Sequence, residues 1–277
     1  MKDILKIKRI INDADAIVIG AGAGLSTSAG INYGTKNFKE NFPELVKKYN
    51  MTDMYTSSFY EFKTEEERWS YLAKHINYLY NVDAKEVYKN LYELVKDKNY
   101  FVITTNVDGQ FLKAGFDKEK VFETQGSLSK MQCSKACHNK LYDDLKLVSE
   151  MLKEDKDCKI PSRLVPHCPR CGEEMDINLR KDEYFVEDNA WHKLSNNYNS
   201  FINDNKDKNV VFLELGVGFN TPGIIRFPFE EMTLNFKGAY LIRANDKYTD
   251  TVFELKDKAI LIKEDCGKVI NGLINRK

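Results

Sequence analysis

Four cysteines fall into two pairs. Three residues separate Cys133 from Cys137, two separate Cys168 from Cys171, and thirty lie between the pairs. That pattern suits four thiolates around one tetrahedral zinc ion, a closed site with a structural role. The second pair, in CPRCG, is the stronger half, because a glycine follows its second ligand. Three intervening residues in the first pair are less usual. His138 and His167 are competing ligands, Cys158 and Cys266 lie outside the pattern, and reduced thiols without metal are the plainer alternative.

Three further stretches carry chemistry. IGAGAGLSTSAG, at 19–30, is rich in glycine and small residues. Glycines allow a ligand close to the backbone, and the N-terminus of a following helix offers free N–H groups to a diphosphate. A tight strand-to-helix turn is the alternative. In TTNVDG, Asn106 and Asp108 stand just past the end of a strand, where α/β sheets bind ligands. In extended chain the two point to one side, although an Asx turn also explains them. In ETQGS, Gln125 has a neutral amide that exchanges hydrogen bonds but takes no proton near pH 7. The four histidines, His75, His138, His167 and His192, stand elsewhere in the sequence, and a lone histidine is more often structural than catalytic.

The elements that must position these residues read as α/β. An amphipathic N-terminal helix runs into a strand at Ala16–Ile19. A strandless region follows. Within it, Thr64 and Glu67 have capping-box spacing, and Trp69, Leu72, Ala73, Ile76, Leu79 and Tyr80 share one helical face. Val87, Leu91, Leu94 and Val95 repeat that pattern before a strand at Tyr100–Ile103. Strand, helices, strand is a parallel crossover. After the cysteine block, KLVSEMLKEDKDCK included, VVFLELGVG, GAYLIRAN and KAILI read as strands and a last helix closes the chain. The expected fold is a Rossmann-like, doubly wound parallel sheet with an inserted helical module and an inserted small zinc module. The sheet domain is placed at about 1–34, 98–128 and 208–277, the helical module at about 35–97 and the zinc module at about 129–185.

The chain has 277 residues, enough for a sizeable core, and balances 42 basic against 42 acidic side chains. That intermixed charge points to neither nucleic acid nor a membrane surface as partner. The longest apolar run is too short to span a bilayer, and no signal-peptide layout follows the N-terminus. A cytoplasmic location is expected, where six cysteines argue for metal or chemistry rather than disulfides.

The motifs resemble those of sirtuins. GAGLSTSAGI is similar to the family's NAD-binding turn over Gly22–Ile31, but Asn32, Tyr33, Gly34 and Thr35 replace the PDFR that shapes the lid over nicotinamide. TTNVDGQFLKAG resembles TQNIDxLHxxAG, with Asn106, Asp108, Ala114 and Gly115 matching. ETQGS resembles ExHGS, with Gln125 where the family has a histidine base. Sirtuins also carry a zinc module at this point in the order. Gln125, NLRKDEYFVEDNAWH and LELGVGFNTPGII resemble the macrodomain-linked sirtuins, class M, and the likeness runs from about Asp15 to Leu273.

That resemblance implies an NAD-dependent ADP-ribosyltransferase acting on a lipoylated carrier protein of the glycine-cleavage H kind, beside an operon-linked macrodomain hydrolase. It implies that Asn106, Asp108 and Gln125 orient the nicotinamide ribose and that Gly22, Ala23, Gly24 and Ser26 hold the diphosphate. Gly216, Val217, Gly218 and Asn220 are expected beside the cofactor, Asn245 and Cys266 at its adenosine end, and Tyr33 and Phe38 in its lid. Arg180 and Asp182 are expected to face the acceptor or the open nicotinamide side. The alternatives are an NAD-dependent lysine deacylase with another base, an inactive module sensing NAD or ADP-ribose, and an NAD glycohydrolase.

Overall fold

The computed structural model describes residues 4–31 and 35–275. In chain order the elements begin with α1 (Ile4–Asp13), β1 (Ala16–Ala21), α2 (Ala23–Ser28), α3 (Thr35–Asn41), α4 (Pro43–Tyr49), α5 (Met54–Ser57), α6 (Glu65–Tyr80) and α7 (Glu86–Val95). Then follow β2 (Tyr100–Thr104), α8 (Gln110–Lys113), β3 (Val121–Glu123), β4 (Gly126–Cys133), β5 (Tyr142–Asp143), α9 (Leu145–Glu154) and β6 (Met175–Leu179). The last are α10 (Asn189–Asn205), β7 (Val210–Leu215), α11 (Arg226–Asn235), β8 (Tyr240–Ala244), β9 (Ala259–Ile262) and α12 (Cys266–Asn275). Among the described residues, no helix is long and apolar enough to cross a membrane.

The chain divides into two compact units. One comprises Met1–Gly30, Ala84–Gln125 and Ala190–Lys277. Its parallel sheet runs β3-β2-β1-β7-β8-β9, the doubly wound order, which reverses direction between β1 and β7. Ligands bind outside the strand carboxyl ends at such a reversal. Strand alternation sends Ile17, Ile19 and Ala21 to one face and Ala16 and Val18 to the other, so each face has its own core. On the first face lie α1, α7 and α12. Helix α1 buries Ile4, Ile7 and Ile11 at helical spacing, each contributing roughly 1.5–3 kcal/mol. On the second face α10 lays Trp191, Leu194, Tyr198, Phe201 and Ile202 against Phe101 and Phe122.

The other unit comprises Ile31–Asp83 and Gly126–Asn189. Helix α6 begins at the expected cap, with the Thr64 side chain accepting from the Glu67 N–H. It packs against α9, where Lys74 pairs with Asp155 at 2.6 Å. A three-stranded antiparallel sheet, β5-β4-β6, carries the cysteine pairs.

Candidate active site

The glycine-rich turn closes on the end of β7. A Cβ on Gly22 would stand 2.8 Å from the Gly216 carbonyl oxygen, one on Gly24 2.7 Å from Gly216 Cα, and one on Gly216 2.4 Å from the Leu25 nitrogen. Only glycine permits this backbone-on-backbone contact, and Gly216 also has a positive φ of 65°. The Gly22 N–H donates to Leu215 O at 3.0 Å and the Gly24 N–H to Gly216 O at 2.9 Å. Ala23 is exposed at the mouth and Ser26 is buried behind it. The turn thus sits at the sheet reversal, where α/β sheets bind ligands, with Ala23 as its exposed residue.

Behind that turn a polar cluster is packed around Asp108, itself buried. Ser26 Oγ donates to Asp108 Oδ2 at 2.6 Å, the Tyr88 hydroxyl donates to the same oxygen at 3.3 Å, and the Gln110 N–H donates to Oδ1 at 3.1 Å. Asn106 Nδ2 donates to Gly22 O at 3.0 Å and to the Tyr88 hydroxyl at 3.4 Å. Asn106, Asp108 and Ser26 are therefore brought together. Burial raises the Asp108 carboxyl above its usual range, and its three donors oppose that shift. Burial and the Asp108 charge push Tyr88 well above the ordinary phenol, so its hydroxyl stays a donor. Tyr88 is the residue that sequence reasoning passes over. On α7 it reads as one more core aromatic, and only the fold brings its hydroxyl to the Asx pair.

Gln125 is half-buried just past β3, and among the described residues its amide has no hydrogen-bond partner. Glu123 lies two residues earlier, in register with Thr104 and on the same strand face as the core residue Val121. Its surface is partly exposed although protein rings it closely. Burial, then the charge of Asp108, pushes its carboxyl up from 4.5 to about 8. The folded protein therefore holds a proton at neutral pH that the unfolded chain releases. Stability should fall as pH rises from about 4.5 to about 8, with no further change from this group above that window. Melting temperatures across this range should decline less in Glu123→Gln than in the native chain. Equal slopes would remove Glu123 as the cause.

The remaining sequence candidates occupy neighbouring strand ends. Val217 is buried, Gly218 half-buried and Asn220 exposed in the loop after β7. The Asn245 side chain is spent on backbone. Its Nδ2 donates to Val217 O at 2.9 Å, and its Oδ1 accepts from the N–H groups of Lys247 and Tyr248, both at 3.0 Å. Cys266 is buried, and its thiol donates to Ala244 O. Tyr33 lies outside the described residues. Phe38 is buried on α3 with its ring 5.1 Å from Phe42. Arg180 pairs with Glu187 and stacks on Phe185, while Asp182 accepts from the Tyr184 N–H.

The histidines stand on other elements than Gln125. His75 is buried on α6, where burial pushes its pKa down to about 4 and keeps it neutral. His167 forms a β-bridge with Glu174, and His192 lies on α10 beside Trp191.

Cys133, Cys137, Cys168 and Cys171 converge, with their four sulfurs within 4.8 Å of one another. Cys133 and Cys171 are 3.5 Å apart and Cys137 and Cys168 3.7 Å. Zn–S bonds of about 2.3 Å in a tetrahedron place thiolates ~3.8 Å apart, so the donor set fits structural zinc. His138 stays outside the four, with Nδ1 3.0 Å from Cys137 Sγ and Nε2 2.9 Å from the Tyr142 hydroxyl. That is the arrangement of a group that steadies a ligand rather than acting as one.

A model described as the Sir2 family matches residues 22–213, more than half of the chain. The chain belongs to the Sir2 family. Enzymes of this family use NAD as co-substrate, which the glycine turn and the Asp108 cluster fit. A protein ADP-ribosyltransferase of Staphylococcus aureus (strain Mu50) is 36% identical over 267 residues, covering 95% of this Sir2 chain and 84% of that protein. A probable bifunctional ADP-ribose hydrolase/ADP-ribosyltransferase of Fusarium oxysporum f. sp. cubense is 34% identical, over 82% of this chain and 40% of that protein. A solved Sir2 homologue–NAD complex shares the fold at a TM-score of 0.60 and 20% identity, over 97% of this chain and 91% of that one.

Proposed function

We propose that this Sir2 protein is an NAD-dependent protein ADP-ribosyltransferase that modifies a lipoylated carrier of the glycine-cleavage H kind and releases nicotinamide. One observation carries the reading. The Asn106–Asp108–Ser26 cluster is intact, while the position of the family's base holds Gln125, an amide. The reaction breaks the bond from ribose C1′ to the nicotinamide nitrogen and forms one from C1′ to the acceptor. Nicotinamide leaves neutral, so no proton need be removed from the ribose. Positive charge develops at C1′, and an ordered carboxylate stabilises it. An acceptor that is already anionic, such as an Asp or Glu side chain, attacks without a base. Deacylation needs one further step, attack by the ribose 2′-oxygen, and that step needs the base that Gln125 cannot supply.

On this reading Gly22, Ala23, Gly24 and Ser26 hold the diphosphate, and Asn106, Asp108 and Gln125 orient the nicotinamide ribose. Gly216, Val217, Gly218 and Asn220 lie beside the cofactor, with Asn245 and Cys266 at the adenosine end. The S. aureus relative's name and its near full-length match support the transferase reading. The fungal relative's name joins an ADP-ribose hydrolase to an ADP-ribosyltransferase, which supports an ADP-ribose hydrolase as this chain's counterpart.

The test gives labelled NAD to the protein with the lipoylated carrier, its unlipoylated form or an acyl-lysine peptide. Label should pass only to the lipoylated carrier. Label on neither carrier, with the peptide deacylated, would sink the proposal. Gln125→Ala should lower transfer roughly ten-fold through one lost orienting hydrogen bond. Transfer at the native rate would deny Gln125 that role.

A further inference from the structure

The second face of the sheet is apolar along β7 as far as Phe212, and then the chain places Glu214 there, fully buried. Two buried arginines meet it. Arg243, on β8, brings Nε to 2.7 Å from Glu214 Oε1 and Nη2 to 2.8 Å from Oε2, and its Nη1 reaches Glu230 at 2.7 Å. Arg226, the first residue of α11, brings Nη1 to 3.6 Å from Glu214 Oε1. Burying such a set adds little net stability over an apolar filling of the same shape. Its position, at the carboxyl ends of β7 and β8, gives it another use.

Arg226 turns its guanidinium to the loop after β8. Nη1 donates to Tyr248 O at 3.2 Å, and Nη2 donates to Asp250 O at 2.6 Å and to Asp250 Oδ1 at 3.0 Å. Its guanidinium carbon lies over the ring of Phe219, in the loop after β7, 4.4 Å from the ring centre. Phe219 in turn meets Tyr248 edge to face at 5.2 Å. One side chain therefore ties the loop after β7 to the loop after β8. Only a planar, five-donor cation can hold two carbonyls, a carboxylate and a ring at once. Asn245 makes a second tie between the same loops through Val217 O.

We propose that Arg226 is a positioning residue for the cofactor. It sets the loops carrying Gly218 and Asn245 before NAD arrives, so that binding does not have to order them. The inference rests on the reading of these strand ends as the NAD site. Its test is direct titration of ADP-ribose, together with KM and kcat for NAD in the transfer assay.

Arg226→Lys keeps the charge and loses the fork. ADP-ribose should bind roughly ten-fold more weakly, the scale of one lost charge-assisted hydrogen bond. KM for NAD should rise to match while kcat stays near the native value. A purely structural role would lower the melting temperature and leave both constants alone, and that result overturns the proposal.

If Arg226→Lys fails to fold, the double variant Phe219→Ala, Asp250→Ala removes only exposed side chains from the same clamp. It should weaken ADP-ribose binding several-fold, and unchanged binding again overturns the proposal. Failure of the native protein to bind ADP-ribose would instead defeat the NAD-site reading and the inference with it. Binding without transfer would defeat the transferase reading alone.

Discussion

Replacing Asp108 with asparagine is expected to cut ADP-ribosyl transfer by about 10²- to 10³-fold, the usual cost of removing one preorganised electrostatic group from a reaction centre. The carboxylate accepts from Ser26, Tyr88 and the Gln110 N–H, so three donors converge on one acceptor. An asparagine amide accepts on its oxygen only and turns its NH2 toward a donor. The site then loses its negative charge and its fixed geometry together. The fold should survive, because burial already penalises the charged form and the replacement is isosteric. The check is a rate measurement beside a thermal melt. Transfer within ten-fold of the native rate, in a protein that melts normally, would remove Asp108 from the reaction. Tyr88→Phe should show the same effect in weaker form, since Asp108 keeps two of its three donors.

Zinc removal is expected to unfold the unit formed by Ile31–Asp83 and Gly126–Asn189. Structural zinc contributes roughly 10–16 kcal/mol of apparent binding free energy, as large as the whole stability of an ordinary domain. Between the cysteine pairs the chain forms β5, then α9, which packs on α6, and a 3-10 turn at Ser162–Leu164. Cys171→Ser is the mildest single removal, because that ligand is exposed while Cys133 and Cys168 are buried. The variant should lose its metal, and proteolysis should then begin within 126–189. Full stability and protease resistance at zero zinc content would contradict the role assigned to the cluster.

The parallel sheet is legible in the sequence because its strands are buried on both faces. Such strands read as continuous apolar runs, as at 16–19 or 210–213. The cysteine tetrad is legible because metal geometry limits ligand spacing. The antiparallel strands β4, β5 and β6 are not. In β4, GSLSKMQC, a register shift between Ser127 and Met131 breaks the alternation that would mark a half-buried strand. Helix α10 also escapes notice, because NAWHKLSNNYNSFINDN is crowded with asparagine and serine, residues that favour turns. Its apolar positions do recur at helical spacing, so the signal is present but outweighed by composition.

The site divides in the same way. Gly22, Gly24, Asn106 and Asp108 stand in short motifs at strand ends, where local order is enough to draw attention. Tyr88 and Arg226 act through contacts to Asp108 and to Tyr248, 20 and 22 residues away. No local pattern reports such partners. Neither residue stands in a motif, and burial in the fold is what gives each its work.

On the proposed function, the amide at Gln125 directs the protein to group transfer. The most direct measurement follows both products of NAD in one reaction containing the lipoylated carrier and an acyl-lysine peptide. Nicotinamide released should equal ADP-ribose found covalently on the carrier, and the peptide should keep its acyl group. Nicotinamide matched instead by acylated ADP-ribose, with the carrier unmodified, would contradict the account.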